Sequence, residues 1–350
     1  MTSSKITCKL FKLTGINSLD DVKINILNRS FTDPLLFTKS DRDIMSSLSD
    51  DEKNFYFTWR DISEPNELKL QKKDVKEERE ECVDYLIANA NIEYPKRRKR
   101  DSNGNILPKV QRVNYTQIVT YFMSFNNTVH LIICSSNDSH LGRVRKLVGT
   151  NFIAHSDKDY EIPSDLFNWL FYQYVENNGC LNEELDLINI SGFIGNAVDE
   201  HNVFKGTSDQ TSELIITKAF ISNGETLRTI TARLRNKDID IVFAIDYESN
   251  TQIFINQSEK LKLLEAEEKD TFFIIYLYSH LIPNLKSLYN EAAEQFLSSE
   301  KKHFSEKMGL EVIKSIIIKN SLSIEDVSRL FNVNGDVREI EQKPNFTVNL

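Results

Sequence analysis

The chain has 350 residues, with 43 Lys and Arg against 52 Asp and Glu, a formal charge of −9 and an isoelectric point near 5.4. At 40% hydrophobic residues, with only 11 Gly and 7 Pro, it is too apolar for disorder and too poor in Gly and Pro for a collagenous or low-complexity chain. Four scattered cysteines without a CxxC pair, Cys8, Cys82, Cys134 and Cys180, argue against a zinc ribbon or a dense disulfide framework and suit a reducing, cytoplasmic setting.

In chain order, the opening residues lack the basic flank and unbroken apolar run of a secretory signal, so no export is expected. Residues 4–13 and 23–29 alternate polar and apolar side chains and predict two strands; the aromatic run at residues 55–60 predicts a third. From Gln71, the positions Val75, Cys82, Val83, Leu86, Ile87 and Ala90 fall at helical spacing and predict an amphipathic helix ending near Asn91. Residues 94–112 carry Pro at both ends and Asn103-Gly104 in the middle, which marks an exposed loop or hairpin tip. Two strands, at 113–125 and 128–135, are expected to form a hairpin turned at Asn126-Asn127.

A short helix over residues 138–149 follows, with Leu141, Val144, Leu147 and Val148 on one face and Arg143, Arg145 and Lys146 on the other. A boundary near residue 155 divides the expectation into an N-terminal region, 1–155, and a C-terminal region, 156–350. Pro163, Ser164 and Asp165 open a helix that Gly179 closes. Residues 191–212 show no sustained period and are read as a long loop. Strands at 226–235, 238–247 and 251–256 follow, and then a mostly helical stretch to about Val333, interrupted at Pro283 and Gly309. Its most apolar window, residues 272–282, is about half of the ~20 residues that cross a bilayer, so no membrane span is expected. The fold class predicted is α+β, with antiparallel sheets and a helical C-terminal part.

The most distinctive chemistry is basic. Lys96, Arg97, Arg98, Lys99, Arg100, Lys109 and Arg112 set seven positive charges against Asp101 within residues 96–112, a local +6 that leaves −15 over the rest. Such segregation in an acidic protein attracts a polyanion to one place while the remaining surface repels it. Arg143, Arg145 and Lys146 extend the patch if they lie beside it, and Tyr94 or Tyr115 could stack on bases. The plain alternative is a solvated loop; PKRRKR would also pass as a nuclear localisation signal, and RRKR as a processing site.

Other motifs fall short. Residues 311–333 outline a helix-turn-helix with Ser323 and Asp326 as a cap, but the residues that follow are short and acidic rather than a basic recognition helix. The strand at 238–248 carries Asp238, Asp240, Asp246 and Glu248, but the only Glu-x-Lys nearby, Glu267 and Lys269, falls in a segment read as helical, away from a shared metal. Six scattered histidines form no metal or hydrolase motif. Cys134, before a helix N-terminus, could be an activated thiol but suits a buried small hydrophobe better. Gly192, Gly195 and Gly206 lack the Lys-Ser/Thr of a phosphate loop, and Asp199, Glu200, His201 and Lys205 beside them offer only proximity.

The expectation is therefore a non-enzymatic nucleic-acid-binding protein that contacts DNA or RNA backbone through Lys96, Arg97, Arg98, Lys99, Arg100, Lys109 and Arg112, with Arg143, Arg145 and Lys146. No cofactor, metal or membrane partner is expected. The alternatives are an interaction subunit that uses the same loop to hold an acidic protein partner, and a divergent metal-dependent nuclease. A multi-protein system, such as defence against phage or mobile elements, is one context for such binding.

Overall fold

The first strand joins the two halves of the chain. β1 (Ile6–Lys12) pairs antiparallel through Ile6, Thr7 and Cys8 with a strand near residue 252, and through Lys9 to Lys12 with one near residue 131. The computed structural model describes residues 5–36, 46–73, 78–155, 160–196, 203–207, 215–225, 227–260, 269–323, 325–326 and 328–329. Within these, the fold is α+β: one large antiparallel sheet with packed helices and a long helical C-terminal part.

On one side of β1 lie β2 (Phe31–Pro34), β3 (Asn54–Arg60), β4 (Asn66–Lys73), β5 (Glu78–Pro95), β6 (Val113–Phe125) and β7 (Thr128–Ile133). On the other lie β8 (Asp186–Asn196), β9 (Val203–Thr207), β10 (Leu227–Arg235), β11 (Ile239–Asp246), β12 (Thr251–Ile253) and the two-residue β13 (Glu259–Lys260). The spatial order is β2-β3-β5-β6-β7-β1-β12-β11-β10-β8-β9, with β4 beside β5 and β13 beside β11.

The longer helices among the described residues are α1 (Asp138–Val148), α2 (Ser164–Glu176), α3 (Ile215–Ser222), α4 (Lys269–Tyr276), α5 (Ile282–Gln295) and α6 (Lys301–Lys319). One face of the sheet is packed through its middle and C-terminal strands: Cys8, Leu10, Tyr85, Met123, Ile132, Ile230, Leu234, Ile241 and Phe243 share a core with α2 to α6 through Leu166, Trp169, Phe273, Leu285 and Phe304, while Tyr115 and Val119, on the same face of β6, are exposed. Among the described residues, the reverse face is packed behind the N-terminal strands, where Leu86, Ala88, Ile92, Phe122 and Leu131 share a core with Val144, Leu147 and Val148 of α1 and with Val22 and Ile26. Burying each large apolar side chain contributes about 1.5–3 kcal/mol before entropy is set against it.

Several expectations need correction. Where a helix is expected over residues 71–91, residues 71–73 end β4 and 78–91 belong to β5, paired antiparallel with it; residues 74–77, Val75 among them, lie outside those described. β5 is buried on both faces: Val83 and Tyr85 enter one core while Leu86, Ala88, Ala90 and Ile92 enter the other. A strand covered on both sides loses its polar alternation, and its apolar positions then mimic helical spacing.

The strand expected at residues 23–29 is helical instead. Ser18 and Asp21 form a reciprocal cap that starts a helix at Leu19, and the chain continues through a π turn at Lys23–Leu27, burying Val22, Ile26 and Leu27. The expected loop at 191–212 contains the end of β8 and all of β9, and its remaining residues lie outside those described.

Gly309 does not interrupt α6; it lies beside Ser222 of α3, and the helix runs on. Pro283 is accommodated in the first turn of α5, after a π turn at Leu277–Leu281. The strand expected at 251–256 is shorter, Thr251–Ile253, and a 3-10 turn at Ile255–Gln257 follows it; residues 261–268 and 330–333 of the expected helical stretch lie outside those described. The β6–β7 hairpin stands as expected, and its Asn126 and Asn127 both have positive φ as a type I′ turn requires. Among the described residues, no helix is long and apolar enough to cross a membrane.

Candidate nucleic-acid interface

The basic loop is a small ordered hairpin at the end of the long β5–β6 ladder. Its base is closed by the Lys96 N–H donating to the Arg112 carbonyl at 2.7 Å, and its middle by Leu107 N–H to the Lys99 carbonyl at 3.0 Å. Asp101 organises the tip: its carboxylate accepts from the backbone N–H groups of Asn103 and Asn105 at 2.9 and 2.8 Å, and Gly104 takes the positive φ that this turn needs. The Asn105 N–H is the largest influence holding the Asp101 carboxyl below its usual range. The one acid of the segment is therefore a turn device. Arg97, Arg98 and Lys99 are exposed, and Lys96 and Arg100 half-buried. Arg98 Nε donates to the Arg100 carbonyl at 3.2 Å, and Arg100 Nη1 to the Gly104 carbonyl at 2.6 Å.

Lys109 and Arg112 do not belong to this surface, and their inclusion is corrected. They sit in one helical turn (Lys109–Arg112) whose apolar neighbour Val110 points outward, while the two cations point inward. Lys109 Nζ lies 2.9 Å from both Asp51 and Glu93, and 4.4 Å from the Tyr56 ring centre. Burial opposes its charge, but Asp51 and Glu93 prevail and raise its pKa. Arg112, 1% exposed, donates to the Leu107 carbonyl at 2.9 Å, to the Glu52 carbonyl, and to the Glu52 carboxylate at 2.6 Å. Both cations anchor the root of the loop to the turn at Asp50–Lys53. Residues 96–100 keep the exposed and half-buried cations of the loop.

α1 disperses its three basic side chains, because successive residues rotate by about 100° around a helix. Arg143 lies over the Tyr94 ring, 4.8 Å from its centre, with the His140 ring 6.1 Å from Tyr94. Burial first, and then the charge of Arg143, lower the His140 pKa. Arg143 thus joins the end of β5 from which the basic loop springs, and Tyr94 spends a ring face on it. Tyr115, 58% exposed, is the aromatic presented to solvent.

Arg145 turns towards Phe11, 5.5 Å away, and lines a cleft of about 430 Å³ with Lys9, Lys12, His155, Asp138 and Glu248. Lys146 pairs with Asp33 at 3.3 Å and lies over Phe31. The structure brings Arg143 to the loop and sends Arg145 and Lys146 to other neighbours.

The acidic residues weighed for a nuclease are held otherwise. Asp240, 1% exposed, receives Arg233 Nε and Nη2 at 2.7 and 2.9 Å and Arg235 Nε at 2.8 Å. Asp246 accepts from the Glu248 and Asn250 N–H groups, both at 2.9 Å, in a turn; burial raises its pKa against those bonds. Glu267 lies outside the described residues. Among the described residues, no group of three His, Cys, Asp or Glu could hold a metal ion. The Ser323–Asp326 cap is formed, with Asp326 N–H to Ser323 Oγ at 3.2 Å, but the helix expected beyond it lies largely outside the described residues.

Burial works to raise the Asp240 pKa, but the Arg233 and Arg235 hydrogen bonds and charges overcome it and hold the carboxyl below its usual range. A depressed pKa in the folded state adds stability above the unfolded value, about pH 4, and loses it as pH falls through the folded value. Asp240→Asn is therefore expected to flatten the acid limb of stability. Urea midpoints of both proteins between about pH 2 and 6 check this, and parallel curves would refute it.

One feature had no clear sequence signal. Among the described residues, the reverse face of the C-terminal strands forms a trough of about 880 Å³ lined by Thr7, Thr229, Thr231, Ala244, Gln252 and others. The alternation of Thr229 and Thr231 in β10 was its only trace. The chain matches no protein-family model, and no curated protein matches it.

Proposed function

We propose that this protein binds the phosphate backbone of DNA or RNA through Lys96, Arg97, Arg98, Lys99 and Arg100, with Arg143 as a neighbouring contact. The observation that carries this reading is the Arg143–Tyr94 contact, which sets a second basic element beside the root of the loop. The buried anchors Lys109 and Arg112 support it further. With the loop held by internal bonds, less conformational entropy is lost when a ligand engages its charges. In a chain of net charge −9, this local concentration of cations also favours the loop as the point of approach.

Fluorescence anisotropy with short single- and double-stranded DNA and RNA at several salt concentrations tests the reading. Binding is expected to weaken with salt, and the triple variant R97A/R98A/K99A is expected to lower the slope of log K against log salt by about three, near one per lost phosphate contact. The pair R145A/K146A, whose side chains point elsewhere, is expected to leave that slope nearly unchanged. Absence of binding to every polynucleotide at low salt would sink the proposal and pass the loop to an acidic protein partner.

A further inference from the structure

Cys8 and Cys134 face each other across the seam between β1 and β7. The pairing of Lys9 with Ile133 continues one step to set Cys8 opposite Cys134. Five residues along, the Leu13 N–H donates to the Val129 carbonyl at 2.9 Å, which makes Leu13–Val129 a hydrogen-bonded pair. Alternation then makes Cys8–Cys134 a non-hydrogen-bonded pair, the kind whose Cα atoms lie about 4.5 Å apart and whose side chains approach most closely. That spacing lies inside the roughly 4.4–6.8 Å range that a disulfide accepts. The sulfurs themselves are 3.6 Å apart, and neither is in a disulfide.

The two thiols are not equivalent. Cys8 is fully buried in the core, whereas Cys134 is half-buried where the chain leaves β7 for the cap of α1. The hydrogen bond to Cys134, and then burial, push the Cys8 thiol well above its usual pKa. An oxidant in solution therefore meets Cys134 first, and Cys8 waits behind it as the resolving partner.

We propose that Cys134 and Cys8 form a reversible dithiol–disulfide site that responds to peroxide. The Cys134 thiolate attacks one oxygen of hydrogen peroxide; the O–O bond breaks, hydroxide leaves and takes up a proton as water, and Cys134 becomes a sulfenic acid. The Cys8 sulfur then attacks the Cys134 sulfur, the S–O bond breaks, and a second water leaves with the Cys8 proton. Two thiols lose two electrons in all, and one peroxide is reduced to two waters. The resulting cross-link would tie β1 to the root of α1, where the Asn137 side chain accepts from the Ser139 and His140 N–H groups.

The test uses the full chain with Cys82→Ser and Cys180→Ser, treated with hydrogen peroxide, quenched with an alkylating agent and weighed intact. The expected product has lost the mass of two hydrogens, takes up no alkylating agent after unfolding, and regains two reactive thiols with dithiothreitol. Adding Cys8→Ser is expected to abolish the cross-link and leave Cys134 as a sulfenic acid that dimedone captures. If Cys134 gains oxygen or stays reduced while Cys8 remains alkylatable, the proposal is overturned. Should the serine background fail to fold, peptide mapping of the oxidised wild type decides by the presence or absence of a peptide joining Cys8 to Cys134.

Discussion

Arg112→Ala is expected to lower stability by about 2–3 kcal/mol, the cost of losing charge-assisted hydrogen bonds from a buried guanidinium whose Glu52 partner is itself half-buried. The substitution leaves the Glu52 carboxylate without its counter-charge and strips the Leu107 and Glu52 carbonyls of a donor. Arg112→Lys restores the charge but not the fork that reaches three acceptors, so it is expected to recover only part of the loss. Arg112→Met, which keeps the volume and leaves the same acceptors unpaired, should resemble the alanine variant rather than wild type. Urea unfolding with unchanged m-values checks the series. A loss below about 1 kcal/mol in the alanine variant would show that water replaces the guanidinium, and the anchor would carry little.

Gly179→Ala is expected to cost about 3 kcal/mol or more, from two independent causes. The residue has φ near +78°, where a Cβ is strained by about 1–2 kcal/mol. A Cβ there would also run into the backbone carbonyl of Leu187, which cannot swing aside as a side chain does. The Leu187 N–H donates to the Gly179 carbonyl at 2.7 Å, so relieving the clash pulls apart the contact between the end of α2 and the start of β8. Gly142→Ala is the matched control. Gly142 lies inside α1 with open space where a Cβ would go, so the same exchange there is expected to raise stability by about 0.5–1 kcal/mol through helix propensity and a less flexible unfolded chain. Equal losses at both sites would remove the case for the Gly179 contact.

Where one local signal decided the structure, the sequence was readable. Gly179 ends α2, Asn126-Asn127 turns the β6–β7 hairpin, and the apolar spacing of α1 places that helix, although its cap is Asn137 and not Asp138, with which the expected helix begins. The basic loop could also be read, because Pro95, Pro108 and Asn103-Gly104 punctuate it. What could not be read depends on which surfaces meet. β5 carries apolar residues on both faces around Val83 to Leu86, where one face enters each core, and no window of sequence reports a second layer. Lys109 and Arg112 look like their neighbours in the basic run; only the fold shows that Asp51, Glu52 and Glu93 are waiting for them. The approach of Arg143 to Tyr94 is likewise a product of tertiary packing.

The placement of β1 also bears on synthesis. Its second half can pair with β7 as soon as residues near 133 have emerged from the ribosome, but its first half pairs with β12, around residue 253. Until then the nascent chain presents a bare strand edge at Ile6, Thr7 and Cys8, and bare edges template pairing with other chains. Contacts this distant in sequence also slow folding, because a long loop must close before they form. The helices from Lys269 onward, which supply much of the larger core, come later still. The joining strand thus stays half-satisfied while about a third of the 350 residues, from near Ile133 to near Ile253, is being made, a window in which a chaperone or a slow stretch of codons would have its greatest effect.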